Sequence, residues 1–125
     1  MNNYYTKETQ NRFFNPQYFG EMKNPDGVGE VGNPKCGDQM KVYIKVQDDK
    51  ITDASFQTLG CVAAIATSDV VCEMAIGKTL QEAEDINEKQ MIERLEKLPA
   101  VKVHCSSLAI EGLKAAIDDY RKKTK

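Results

Sequence analysis

The chain has 125 residues, a formal net charge of −2 and a pI near 5.5. That fits one domain and lacks the basic surface that nucleic acid as a main partner demands. Hydrophobic residues make up 41% and charged residues 29%, a balance that supports a packed core and excludes disorder along the whole length.

The first twenty residues hold Tyr4, Tyr5, Phe13, Phe14, Tyr18 and Phe19. They carry no signal-peptide apolar region and no Arg-rich transit pattern. Thr6-Lys7-Glu8-Thr9 can open a short helix that Asn15-Pro16 ends, because the residue before proline disfavours helix. Residues 1–20 therefore read as a mobile N-terminal arm and residues 21–125 as a single domain. Glycines and prolines punctuate residues 24–38, with Val28 and Val31 in a short strand between turns and Cys36-Gly37-Asp38 at the end. Met40 to Val46 alternates as a half-buried strand. Asp48-Asp49-Lys50 turns the chain, and Ile51 to Leu59 alternates again, with Ile51, Ala54, Phe56 and Thr58 inward. Together they predict an antiparallel hairpin.

Gly60-Cys61 marks a break into a helix over 61–76, which Gly77 caps. Thr79-Leu80-Gln81-Glu82 has the capping-box pattern of another short helix. Met91, Ile92 and Leu95 have helical spacing within 87–97, and Pro99 makes Leu98 to Lys102 a linker. A final helix runs from about His104 to Arg121, with Leu108, Ala109, Leu113, Ala116, Ile117 and Tyr120 as its apolar stripe. The basic residues that end it complement the helix dipole. Strands first and helices after predict an α+β fold: a small three-stranded antiparallel sheet packed on one face by helices, with a long C-terminal helix.

No apolar run approaches the ~20 residues of a membrane span, so the chain is expected in the cytoplasm, away from membranes. Thiols stay reduced there, and four cysteines are more readily ligands or reactive groups than disulfides. Cys36 lies in a glycine-flanked turn before a strand, Cys61 at a strand-to-helix junction and Cys105 at the start of the last helix. The two helix starts favour thiolate, the form that binds metal or attacks sulfur. Asp38 is two residues from Cys36, and His104 adjoins Cys105. Such mixed S, N and O donors suit a tetrahedral Zn²⁺ or the edge of an iron–sulfur cluster. A carboxylate is a hard partner for sulfide-bridged iron, so Asp38 among thiolates favours transient holding. Cys72 follows Cys61 by 11 residues, roughly 16 Å along an unbroken helix; it is read as a buried apolar residue.

The chain resembles the IscU/NifU-type iron–sulfur assembly scaffolds over nearly its whole length. The resemblance rests on Phe14-Asn15-Pro16, Asp26-Gly27-Val28-Gly29, Asn33-Pro34-Lys35-Cys36-Gly37-Asp38, Phe56-Gln57-Thr58-Leu59-Gly60-Cys61, Gly77-Lys78-Thr79-Leu80 and Val101-Lys102-Val103-His104-Cys105-Ser106. It implies a binding protein rather than an enzyme. Such a protein builds a [2Fe-2S] cluster from iron and the persulfide sulfur of a cysteine desulfurase, then passes it to apo-proteins. The ligands it implies are Cys36, Cys61 and Cys105, with Asp38 and His104 as labile or alternative positions. Cys105 is the best-matched candidate for persulfide acceptor, with Cys36 and Cys61 as alternatives, and Zn²⁺ can take the same site when no cluster is present. A homodimer sharing a cluster is a further form that the resemblance raises.

Two departures bear on partners. Many such scaffolds carry two prolines where this chain reads Leu98-Pro99-Ala100-Val101-Lys102, the segment read by an Hsp70-type chaperone, so Ala100 puts that step in question. Tyr5 only roughly matches an aromatic tied to persulfide reduction and dimer contact in some relatives. The alternative function is a zinc-dependent persulfide carrier, but such carriers have an insertion before the last cysteine and lack the His before it. The short interval and His104 favour the scaffold. A purely structural zinc site is a third reading, which Asp38 fits poorly.

Overall fold

A computed structural model describes residues 7–33, 38–58, 62–94 and 103–124, and at Asp38, His104 and Cys105 it describes the backbone alone. The elements run α1 (Lys7–Phe14), β1 (Gly27–Asn33), β2 (Asp38–Gln47), β3 (Lys50–Thr58), α2 (Val62–Ala75), α3 (Leu80–Glu84), α4 (Glu88–Arg94) and α5 (Val103–Thr124). The three strands form one antiparallel sheet in the order β1-β2-β3. The α+β architecture expected from the sequence is therefore present, and its longest helix is the last.

The hairpin between β2 and β3 turns on Asp48 and Asp49, whose φ values of 53° and 64° give the twist that two-residue hairpin loops require. Met40, Val42 and Ile44 on β2 and Ile51, Ala54 and Phe56 on β3 are buried under the helices. Ile51 and Ala54 are three residues apart, which strict alternation forbids on one face. A shift of register resolves this: Val46 pairs with Ile51 while Lys45 pairs with Asp53. Thr52 is the extra residue of a β-bulge, and the bulge turns both apolar side chains inward.

The glycines that read as turns over 27–32 belong to a full strand instead. β1 pairs with β2 from Gly27↔Ile44 to Asn33↔Asp38, so Asp38 opens a strand rather than lying in a turn. The glycines serve a close approach of α5. A Cβ on Gly29 would lie 2.2 Å from the carbonyl oxygen of Gly112, and one on Gly27 2.3 Å from that of Ala116. Glycine in a strand interior commonly marks such an approach. Gly27 meets Ala116 and Tyr120 whereas Gly29 meets Gly112 and Ala116. The helix therefore runs antiparallel to β1, its N-terminal end toward Asn33.

Helix α2 packs against β3 beside α5, with Ala64, Ala66, Val70, Val71, Cys72 and Ala75 in the core. Gly77, at φ 91°, turns the chain after it. Thr79 then caps α3 as the sequence predicts: its hydroxyl accepts from the Glu82 N–H, and the Glu82 carboxylate accepts from the Thr79 N–H. Within α5, Ala109, Leu113, Ala116 and Ile117 are buried and Leu108 and Tyr120 partly so, matching the expected stripe. Residues 1–6 of the arm, the segment 95–102 with its predicted linker, and the connections containing Cys36 and Cys61 lie outside the described residues.

Within the N-terminal arm, α1 and the residues after it contact the domain at several points. The Arg12 guanidinium bonds Asp69 at 2.8 Å and Glu73 at 2.9 Å, both on α2. Glu73 also pairs with Arg94 of α4. The Tyr18 N–H donates to Asp69 at 2.9 Å. Gly20 donates to the Phe56 carbonyl and Phe56 to that of Tyr18, so this segment adds a short parallel bridge to the free edge of β3. Burial of the carboxyl raises the pKa of Asp69, opposed by the Tyr18 N–H and Arg12. Burial would likewise raise Glu73, but Arg12 and Arg94 outweigh it and hold Glu73 below the ordinary carboxylate range.

Candidate metal centre

The three antiparallel strands and two helices bring Asp38, the start of α5 and the described flanks of Cys36 and Cys61 toward one end of the sheet. β1 ends at Asn33 and β2 begins at its partner Asp38; Cys36 belongs to the four-residue connection between them. β3 ends at Thr58, paired with Met40 at the same end, and three residues link it to Val62, where α2 starts. Cys61 is the last of those three. Helix α5 starts at Val103, so His104 and Cys105 have their backbone in its first turn.

The level of that turn follows from helix geometry. Gly112 packs over Val31, Met40 and Val42 and lies against Gly29. From Gly112 back to Cys105 the helix rises roughly 10 Å at 1.5 Å per residue. From Gly29 to Asn33 the strand advances roughly 13 Å at 3.3 Å per residue. The first turn of α5 thus stands level with the end of the sheet, beside the start of β2. That places Asp38, the His104-Cys105 turn and the described flanks of Cys36 and Cys61 at one edge. Cys36 and Cys61 themselves lie outside the described residues.

Such an edge suits a metal or a cluster. It gathers one carboxylate-bearing position, one helix N-terminus whose dipole favours thiolate, and the described flanks of two cysteine-bearing connections. A groove of about 280 Å³ opens near this end, lined by Phe19, Gln39, Met40, Gln57 and Thr58 among others. Among the described residues no three His, Cys, Asp or Glu side chains converge into a metal-binding group.

Cys72 is set apart from this edge. It is 1% exposed within α2, and burial, reinforced by Asp69 and Asp53, pushes its thiol far above the ordinary range. It is a neutral core residue, as its spacing from Cys61 predicted. The sequence reading places Thr58 inward without a partner and misses Ser68; both are buried hydroxyls at the same end of the core. Their only sequence signal is polarity at positions that periodicity assigns to the interior.

Comparison with known proteins supplies an independent line. The family model of the NifU-like N terminal domain matches residues 4–125. The iron–sulfur cluster assembly scaffold protein IscU 1 of Archaeoglobus fulgidus is 50% identical over 119 residues, covering 95% of this chain and 78% of that protein. The scaffold protein IscU of Escherichia coli K12 is 47% identical over 123 residues, covering 95% of each. Among solved structures, a scaffold candidate of the SUF iron–sulfur assembly system from Fervidobacterium islandicum AW-1 superposes with a TM-score of 0.75. It is 28% identical, covering 90% of this chain and 96% of that one. An N-terminal NifU-like protein of Brucella abortus, 22% identical with a TM-score of 0.73, shares the fold. No helix among the described residues is long and apolar enough to cross a membrane.

Proposed function

Given that the chain belongs to the NifU-like N-terminal domain family, we propose that it is a scaffold on which a [2Fe-2S] cluster is assembled and from which the cluster passes to apo-proteins. The observation that carries the reading is the single sheet edge to which the topology brings Asp38, the His104-Cys105 turn and the flanks of Cys36 and Cys61. High identity to proteins named as cluster assembly scaffolds supports it.

Under this reading Cys36, Cys61 and Cys105 hold iron as thiolates. Asp38 supplies a hard oxygen donor, which binds a sulfide-bridged iron weakly and keeps one coordination position exchangeable. His104 substitutes at that position or carries a proton. Cys105, at the positive end of α5, is the acceptor of persulfide sulfur. Its thiolate attacks the outer sulfur of the desulfurase persulfide and the desulfurase thiolate leaves. An external reductant then supplies two electrons to convert that sulfur to sulfide. The partners are a cysteine desulfurase and apo iron–sulfur proteins, in a reducing cytoplasm, and the scaffold itself turns over no substrate. Zn²⁺ takes the same thiolates when no cluster is present.

The test is anaerobic reconstitution with Fe²⁺ and a desulfurase supplying sulfur, followed by apo-ferredoxin, with visible circular dichroism as the readout. A [2Fe-2S] spectrum that forms on this chain and moves to the ferredoxin is the expected result. Retained zinc, no cluster, and a persulfide on Cys61 or Cys105 by mass spectrometry would replace the scaffold by a sulfur carrier.

A further inference from the structure

Thr58 places a buried hydroxyl at the end of a strand where valine would pack as well. Its residue is 8% exposed, and burying a hydroxyl costs free energy unless it is bonded. The bond is present: Thr58 Oγ1 donates at 2.6 Å to the main-chain carbonyl of Gln39, nineteen residues away in sequence. Met40↔Thr58 is the last pair of the β2–β3 ladder. Beyond it one strand leads through Gln39 to Asp38, and the other leads in three residues to Cys61. The hydroxyl therefore ties the two strands one residue further toward the edge than the ladder pairing does.

A second hydroxyl acts from the other side of Cys61. Ser68 donates to the Ala64 carbonyl at 2.6 Å and lies 3.0 Å from the Met40 sulfur. Thr58, three residues before Cys61, and Ser68, seven after it, thus contact Gln39 and Met40, the two residues after Asp38. Building on the scaffold reading, we infer that Thr58 is a positioning residue: its hydroxyl sets the separation between the strand that carries Asp38 and the strand that leads to Cys61. A site whose ligands exchange during assembly and release gains most from a fixed frame, because the frame decides how often the donors stand within binding reach.

Two variants test it. Thr58→Val keeps the shape and removes the donor; Thr58→Ser keeps the donor. Ile51→Val, in the same strand at the opposite end of the sheet, controls for loss of stability. Each protein is loaded anaerobically with iron and desulfurase-derived sulfur, and cluster loss to a chelator is followed by visible circular dichroism. Thr58→Val should lose its cluster roughly five- to tenfold faster, the scale of one hydrogen bond, and its bound cluster should show an altered dichroic band shape. Thr58→Ser should stay within about twofold of the natural chain, and Ile51→Val should match it despite a lower melting temperature. Should Thr58→Val fail to fold, Thr58→Ala is read in the same assay. The inference is overturned if the donor-less variant holds its cluster normally, if Thr58→Ser fails as badly, or if Ile51→Val loses cluster equally fast. A natural chain that forms no cluster would sink the scaffold reading and this one with it. A normal natural chain with indifferent Thr58 variants would sink this one alone.

Discussion

Replacing Gly29 by alanine should push α5 away from the sheet. The new Cβ would lie 2.2 Å from the Gly112 carbonyl oxygen, 2.5 Å from the Ala116 nitrogen and 2.9 Å from the Ala115 Cβ. The first contact is about 1.2 Å inside the 3.4 Å at which ordinary contact begins, and two of the three partners are helix backbone. No side-chain rotation relieves it, so the helix must move. Overpacking of this kind costs ~1–3 kcal/mol, occasionally more, and a clash with backbone belongs at the upper end. Alanine returns ~0.5–1 kcal/mol through the less flexible unfolded chain. The net loss is about 2–2.5 kcal/mol.

Unfolding entropy of about 2.1 cal/mol/K per residue over 125 residues gives about 0.26 kcal/mol/K. The melting temperature should therefore fall by roughly 8–10 °C. Gly112→Ala is the matched control from the facing helix. Its Cβ meets side-chain atoms instead of helix backbone, Val42 Cγ2 at 2.8 Å and Met40 Cγ at 3.3 Å, and it gains ~1 kcal/mol of helix propensity. It should melt within about 3 °C of the natural chain. Because α5 carries Cys105 in its first turn, the displaced helix should also hold a cluster less well. Thermal unfolding followed by far-ultraviolet circular dichroism decides it. A Gly29→Ala protein that melts within 2 °C of the natural one, or no lower than Gly112→Ala, would refute the close-approach reasoning.

Four further outcomes follow from named contacts. Asp38→Ala should slow cluster release to apo-ferredoxin, because the hard oxygen donor is gone; faster loss would count against the role given to Asp38. Arg12→Met should cost ~3 kcal/mol in chemical denaturation, since it strands a buried Asp69 with main-chain donors alone. Glu73 has a lowered folded-state pKa, so the unfolded chain takes up that proton first. Its contribution is present above the ordinary value of ~4.3 and is lost as pH falls through the folded value. Glu73→Gln should accordingly flatten the acid limb of the stability–pH curve below about pH 4.3. Asp69, raised by burial, acts with the opposite sign and stays in place in that variant. Iodoacetamide at pH 8 should spare Cys72 in the native chain, and Cys72→Ala should assemble cluster at the natural rate; mass spectrometry of the peptides and the reconstitution assay check the two.

What the sequence disclosed and what it concealed divide along the range of the interactions. The capping box at Thr79 and Glu82, the Asp48-Asp49 turn, the stop at Gly77 and the stripe of α5 are all decided within a few residues, and all stood in the sequence. The candidate site was legible for a similar reason. Its residues flank element boundaries, and the motifs around them announce those boundaries through Gly, Pro and helix starts. The misread features depend on partners far along the chain. Gly27 and Gly29 look like turn residues because nothing local reveals that a helix some eighty residues later needs the space of their side chains. Asp38 followed them into a strand for the same reason. Ile51 and Ala54 appear out of phase until the bulge at Thr52 is seen. Arg12 and Asp69 are 57 residues apart, and charges on two helices carry no mark of whom they face. Thr58 reads as inward from its sequence, but its partner belongs to this second group. Its neighbours announce a strand, but its bond to Gln39 spans the hairpin, and that long-range bond gives a polar residue in the core a reason to be there.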